Sequence, residues 1–249
     1  MKDIIVGYGI VGNNLNKELS RLNCEIYDKY KNIIPENLYD TYYRLAFICV
    51  PTELTEEGIL DTSIVEEVID EIKANIYVIK STIPVGTIER LNAKYGKTVY
   101  KRIVFSPEYY GNTQHCNNFD FNFTILGGNK SDCLEVQQVL QKCYDGRHIF
   151  RIVDSKTAEL TKFMENSWLA YKVVFCAEFF KMCQQLGIDY EDLRELFILD
   201  PRVNPSHTFI YKDHPYFDSH CLNKDVPSIA NQMKSKLLKT IIDINEENK

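Results

Sequence analysis

Cys221 lies in the run His220-Cys221-Leu222-Asn223-Lys224-Asp225. His220 and Lys224 create a positive local field there, which lowers a thiol's pKa and favours the nucleophilic thiolate. Read alone, the stretch is equally compatible with an inert cysteine. Three further stretches carry groups that can do chemistry. Ser106-Pro107-Glu108 follows a short apolar run, and a carboxylate at 108 can act as acid or base or be a solvated loop side chain. Lys162 and Asn166 are four residues apart in a helical pattern, which puts both on one face, whether toward a ligand or toward solvent. Lys80-Ser81-Thr82-Ile83-Pro84-Val85-Gly86-Thr87 closes another apolar run, so Thr82 sits where loops of an open α/β sheet face their ligand. A plain strand-to-helix turn is the simpler local account of it. His207, His214, His220 and Cys221 match no common zinc spacing, so no metal is expected.

Gly7-Tyr8-Gly9-Ile10-Val11-Gly12 has a richer context. The apolar strand Ile4–Val6 precedes it, a helix opens on it, and Asp28 ends the next strand. Gly7 makes the tight turn, Gly9 lets a pyrophosphate approach the backbone, and Gly12 lets helix and strand pack closely. Asp28 would accept hydrogen bonds from the adenosine ribose and repel a 2′-phosphate. The cofactor expected is therefore NAD, held by residues 7–12 and Asp28.

These groups need elements to position them. Short apolar strands are expected at Ile4–Val6, Cys24–Tyr27, Leu45–Val50, Ile76–Ile79, Ile103–Phe105, Phe123–Leu126 (stopped by Gly127–Gly128) and His148–Val153. Helices are expected from Ile10 to Leu22, Ile64 to Ala74 (capped by Thr62 or Ser63), Ile88 to Lys94 and Ser131 to Tyr144. Such alternation predicts a doubly wound parallel sheet of Rossmann type over residues 1–153. An all-helical domain over 154–249 follows, built on one long helix from Lys156 to Leu186. Asp154 or Ser155 caps its start and Gly187 ends it in left-handed geometry. That helix is apolar on more than one face, so it should bridge domains or pack against a second subunit. Beyond it the sequence reads as a helix Tyr190–Phe197, an irregular stretch Asp200–Asp225, and a helix Ser228–Ile242.

Bulk properties bound the partners. The chain has 249 residues and a net charge of −6. That charge argues against a nucleic acid partner gripped through phosphates. No apolar run is long enough to span a bilayer, and the start is no signal peptide. Eight scattered cysteines without a C-x-x-C pair point to reduced thiols and a cytoplasmic protein.

In order and spacing, the stretches GYGIVG, FICVPT, KSTIPVGT, SPE, AELTKFMENSWLAYK, FFKMCQQLGID and HCLNKDV resemble the UDP-glucose/GDP-mannose dehydrogenase family. The resemblance covers nearly all of the chain. It implies oxidation of a nucleotide sugar's primary alcohol to a carboxylate with two equivalents of NAD. Cys221 would form the thiohemiacetal and then the thioester. Lys162 and Asn166 would stabilise the oxyanion, Asp225 and Thr82 would manage water and protons, and Glu108 would be the base for hydrolysis. Lys224 would sit near the cofactor, Val50, Pro51 and Thr52 would line its groove, and helix 156–186 would form a homodimer core. Three departures stand out. The family's C-terminal nucleotide-binding domain is expected to be absent. Its glycine-rich loop before the cysteine is here Pro215-Tyr216-Phe217-Asp218-Ser219-His220, with Asp218 placed to repel a diphosphate. Its segment after Pro-Glu is replaced by Tyr110-Gly111-Asn112-Thr113. Two other readings stand beside this one: an inactive NAD-binding or partner-binding homologue, and a two-domain dehydrogenase for a small hydroxy acid.

Overall fold

The inner strands of the first unit send alternate side chains to two apolar surfaces, because the middle of the sheet is covered on both faces. In the computed structural model, which describes residues 1–96, 101–110 and 121–249, the chain divides into two compact units. One comprises residues 1–53 and 60–162, the other residues 54–59 and 163–249.

The first unit contains β1 (Ile4–Val6), α1 (Ile10–Glu18), β2 (Glu25–Tyr27), β3 (Tyr43–Ile48), α2 (Ser63–Glu71), β4 (Ala74–Ile79), α3 (Thr87–Tyr95), β5 (Arg102–Phe105), β6 (Phe123–Gly128), α4 (Lys130–Leu140) and β7 (Ile149–Val153). The strands form one sheet in the order β2-β1-β3-β4-β5-β6-β7. Ile4, Val6, Ala46, Ile48, Tyr77, Ile79, Ile103 and Phe105 face α2 and α3 on one side. Ile5, Leu45, Phe47, Ile76, Val78, Val104 and Leu126 face α1 and α4 on the other. The chain leaves β1 first for β2 on one side, then for β3 on the other. That change of direction is the switch point at which open sheets of this kind bind ligands.

The expected doubly wound sheet of Rossmann type is present, and three details of this unit differ from expectation. The sheet is not parallel throughout, because β6 runs antiparallel to β5 while β7 is parallel to β6. Strand periodicity carries no information about strand direction, so the reversal was invisible in the pattern. Gly127 and Gly128 do not stop β6 but belong to it. Gly127 pairs with both Phe105 and Val153, and a Cβ there would lie 2.4 Å from that of Ala158. The first helix also ends at Glu18 and tightens into a 3₁₀ turn over Ser20–Leu22, because Asn23 adopts a left-handed conformation.

Helix α5 (Ser155–Leu186) has 32 residues, about 48 Å of axis. Asp154 caps it by accepting from Thr157 N at 2.9 Å, and Gly187 follows with φ +70°. The division between units falls within it, after Lys162. The second unit adds α6 (Tyr190–Phe197), α7 (His220–Gln232) and α8 (Lys236–Glu247). Its apolar clusters join Ala170 and Val174 of α5 to Phe217, Leu222, Val226 and Ile241, and Cys176, Ala177 and Phe180 to Tyr190 and Ile210. The helix expected over Ser228–Ile242 is two helices. Lys234 has φ +52°, and Ser235 restarts the chain by capping α8. The stretch expected to be irregular up to Asp225 becomes helical at His220, because Ser219 Oγ accepts from Leu222 N at 3.2 Å. Pro227 lies inside α7 and hid that helix from the sequence pattern.

Candidate active site

The turn after β1 fits a dinucleotide. Gly7 has φ +89°, and a Cβ there would meet the Cys49 carbonyl oxygen at 2.6 Å. A Cβ on Gly12 would lie 2.0 Å from the Gly7 carbonyl oxygen, so neither position tolerates a side chain. At Gly9 a Cβ would meet nothing within 4 Å. The backbone there faces open space at the N-terminus of α1, where a pyrophosphate can approach. Asp28, expected as a ribose acceptor, also fastens the turn. Its Oδ2 accepts from Tyr8 N at 2.8 Å, and its Oδ1 accepts from Tyr30 N and Lys31 N. Lys31, which sequence reasoning passed over, donates to the Tyr8 carbonyl at 2.6 Å. The loops after β3 and β4 are tied together beside this turn. Thr52 Oγ1 donates to the Thr82 carbonyl at 2.9 Å, and Ser81 Oγ donates to the Val50 carbonyl at 2.6 Å. Val50, Pro51, Thr52 and Thr82 thus occupy the carboxyl ends of neighbouring strands.

Glu108 sits just beyond β5 and pairs with Lys80, which stands at the end of β4. Lys80 Nζ also donates to Ser106 Oγ at 3.0 Å. Burial pushes the Glu108 carboxyl above its ordinary range, while Lys80 and Lys162 pull it back. Lys162 is itself buried, with Nζ 4.7 Å from the centre of the Tyr109 ring. Burial thus favours the protonated carboxyl, and the ammonium groups oppose it by favouring the carboxylate. Lys80 was missed as a partner because contact between successive parallel strands leaves no trace in sequence spacing.

A second missed residue is Glu159 in the first turns of α5. It is fully buried, accepting from Gly86 N at 2.6 Å and Ile88 N at 2.9 Å. It thereby satisfies amides at the start of α3 that the helix itself leaves unpaired. Burial raises its carboxyl pKa, and the two amide bonds oppose the rise. The loop 80–87 that carries Thr82 is anchored through this carboxylate.

The second unit holds the other expected residues. Cys221 is exposed and occupies the second position of α7, one residue past His220 and capped by Ser219. A helix N-terminus favours negative charge on sulfur. Asp225, one turn further on, is 1% exposed. It accepts from Asn166 Nδ2 at 2.6 Å and pairs with Lys224 Nζ at 2.7 Å. The structure thus joins Asn166, Lys224 and Asp225, and sets Cys221 on the same helix. Asp218 accepts from Asn223 Nδ2 at 2.7 Å. Gly111, Asn112 and Thr113 lie outside the described residues. Among the described residues, no group of three or more His, Cys, Asp or Glu side chains is arranged to hold a metal. Nor, among them, is any helix long and apolar enough to cross a membrane.

Fold and glycine turn define a dinucleotide-binding domain joined to a helical unit with a thiol at a helix start. Residues 39–146 match the NAD binding domain of the UDP-glucose/GDP-mannose dehydrogenase family, and residues 156–247 match its central domain. The chain belongs to that family, whose members are NAD-dependent dehydrogenases of nucleotide sugars. It is 30% identical over 234 residues to a UDP-glucose 6-dehydrogenase of Rickettsia bellii, covering 88% of this chain and 52% of that protein. The chain spans about half the length of the curated relatives it matches. Among solved structures, a UDP-glucose dehydrogenase from Pyrobaculum islandicum superposes with a TM-score of 0.81 at 20% identity, covering 99% of this chain and 68% of that one. A 3-hydroxyisobutyrate dehydrogenase from Mycobacterium tuberculosis superposes with a TM-score of 0.68 at 16% identity, covering 99% and 93%. At these identities the two structures speak to the fold alone.

Two substitutions test the buried carboxylates. Lys80→Met leaves Glu108 buried without its direct ion-pair partner, and should cost about 3–5 kcal/mol of stability near neutral pH in urea unfolding. The loss should shrink as pH falls, because the Glu108 pKa then lies still higher and protonation removes the charge. Adding Glu108→Gln should recover most of it. Glu159→Gln keeps one acceptor oxygen and orphans one amide. It should cost about 1–3 kcal/mol, read by the same unfolding experiment.

Proposed function

We propose that this protein oxidises the primary alcohol of a sugar, of the nucleotide-sugar class, to a carboxylate with NAD. The observation that carries the reading is Cys221 at the N-terminus of α7, on the helix that also bears the buried Asp225–Lys224 pair bonded to Asn166. When bound, NAD would accept hydride, first from the alcohol and then from the hydrated or thiol-bound aldehyde. Residues 7–12 and Asp28 hold its phosphates and ribose, and Val50, Pro51, Thr52 and Thr82 line its groove.

In this reading Cys221 Sγ attacks the aldehyde carbon, making a carbon–sulfur bond and placing negative charge on the oxygen. Lys162 and Asn166, one turn apart on α5, donate hydrogen bonds to that oxygen. Loss of hydride turns the adduct into a thioester. Water then attacks its carbonyl, Glu108 takes the water's proton, and the thiolate leaves. Asp225 and Thr82 orient the water. The residues of the chemical steps are all present, whereas the loop that would grip the sugar lacks the family's glycines.

A following assay of NADH absorbance over a panel of nucleotide sugars and simple sugar alcohols tests this. Two NADH per substrate are expected, with turnover abolished in Cys221→Ala. Unchanged NADH production in that variant overturns the nucleophile assignment. A second reading is a two-domain dehydrogenase for a small hydroxy acid, for which α5 supplies the buried Lys162. Such chemistry relies on a helix lysine and would survive alkylation of Cys221.

We also propose that α5 pairs with its copy in a homodimer. Met164, Trp168, Phe175, Phe179, Met182 and Leu186 recur every three or four residues, or their sum, and all are exposed. Their aromatic rings adjoin one another along the helix through Tyr171, stacked at Trp168–Tyr171 and tilted beyond it. Water-facing stripes of this length are what second subunits cover. Sedimentation should give a dimer, and Trp168→Glu with Phe175→Glu should give a folded monomer.

A further inference from the structure

Asn245 of α8 is fully buried. An amide side chain so deep in a small helical unit must find partners or cost several kcal/mol of desolvation. Both of its ends bond to one residue. Oδ1 accepts from Phe217 N at 2.8 Å, and Nδ2 donates to Phe217 O at 3.1 Å. The carboxamide thus imitates the paired residue of an antiparallel strand, which exchanges both backbone bonds with its opposite number. One turn on, Asn248 Nδ2 donates to the Pro215 carbonyl at 3.4 Å.

Phe217 is the hinge between this clamp and the thiol. Its ring is buried against Leu222, Val226 and Ile241. Two residues later Ser219 caps α7, and two after that comes Cys221. The segment 215–221 contains no residue with positive φ, so it is ordinary backbone that needs no glycine for its path. Its position is set instead by the Phe217 ring in the core and by the Asn245 carboxamide on its main chain.

We propose that Asn245 is a positioning residue for Cys221: it fixes the backbone at Phe217 so that the first turn of α7 presents the thiol in the field of the helix N-terminus. The catalytic consequence rests on the reading of Cys221 given above, but the placement itself does not. The glycine-free loop is then a fastened structure, held by a side chain from the last helix of the chain.

The test reads Cys221 alkylation by iodoacetamide in the 249-residue chain, quantified by mass spectrometry of the Cys221 peptide. At pH 8, Asn245→Asp carries a carboxylate facing the Phe217 carbonyl and lacks the donor. Cys221 should then react about two- to fivefold more slowly than in the wild type, the size of one helix-terminus interaction. At pH 5 the buried acid is protonated and regains both an acceptor and a donor. The ratio to wild type should return to within about twofold, a rescue that general loosening of the fold would not produce. Equal rates at both pH values, in folded variant, overturn the proposal. If the variant does not fold, hydrogen exchange of the wild type decides. The Phe217 amide should be protected to the same degree as the core of α8, and exchange at the rate of an open loop overturns the proposal. Altered alkylation without any turnover on sugars would uphold the positioning and refute only the enzymatic reading.

Discussion

A sheet buried on both faces can carry polar groups only where its strands end. Ile4, Ile5, Leu45, Ile48, Ile76, Val78, Ile79 and Val104 are each 0% exposed, and none offers a hydrogen-bonding side chain. Their ladder bonds are already made between strands. Among the described residues, the loops beyond Val6, Tyr27, Ile48, Ile79 and Phe105 carry the polar groups expected to meet a ligand. Those loops are also where the backbone runs out of ladder partners. The rest of the structure answers that one shortage.

The answer recurs in three places. Asp28 accepts the Tyr8 amide of the glycine turn, Glu159 accepts amides at the start of α3, and Asn245 clamps the backbone of Phe217. In each, a side chain from a distant part of the sequence takes up main-chain groups at the edge of a functional loop. Two of the three are fully buried, so removing them strands amides out of reach of water. Main-chain precision at the loops thus derives from buried polar side chains elsewhere.

Charge is handled in the same way. Glu108 is balanced by Lys80 and Lys162 within the first unit, and Asp225 by Lys224 and Asn166 within the second. Neither carboxylate is left against apolar surroundings alone. Buried pairs of this kind add little net stability, yet are costly to break. Their value lies in holding a charged group at a defined place in a dry environment. For Glu108, burial raises the carboxyl pKa and the two ammonium groups oppose the rise.

Much of this was legible along the chain, and the limits have physical causes. Local signals set local structure: apolar runs gave strands, Gly7 to Gly12 gave the tight turn into α1, Asp154 and Gly187 bounded α5, and the spacing of Lys162 and Asn166 put them a turn apart. Pro227 and the break at Lys234 misled because a proline inside a helix and a left-handed lysine both run against propensity, and packing overrode it. The antiparallel turn of β6, the Lys80–Glu108 pair, and the clamps made by Glu159 and Asn245 depend on residues tens of positions apart. By itself the sequence determined which groups are available and which elements carry them, because those follow from side-chain type and spacing. Only the tertiary structure decided that Cys221 opens a helix and that its loop is bound to Asn245, because capping and burial require partners that the chain brings together only on folding.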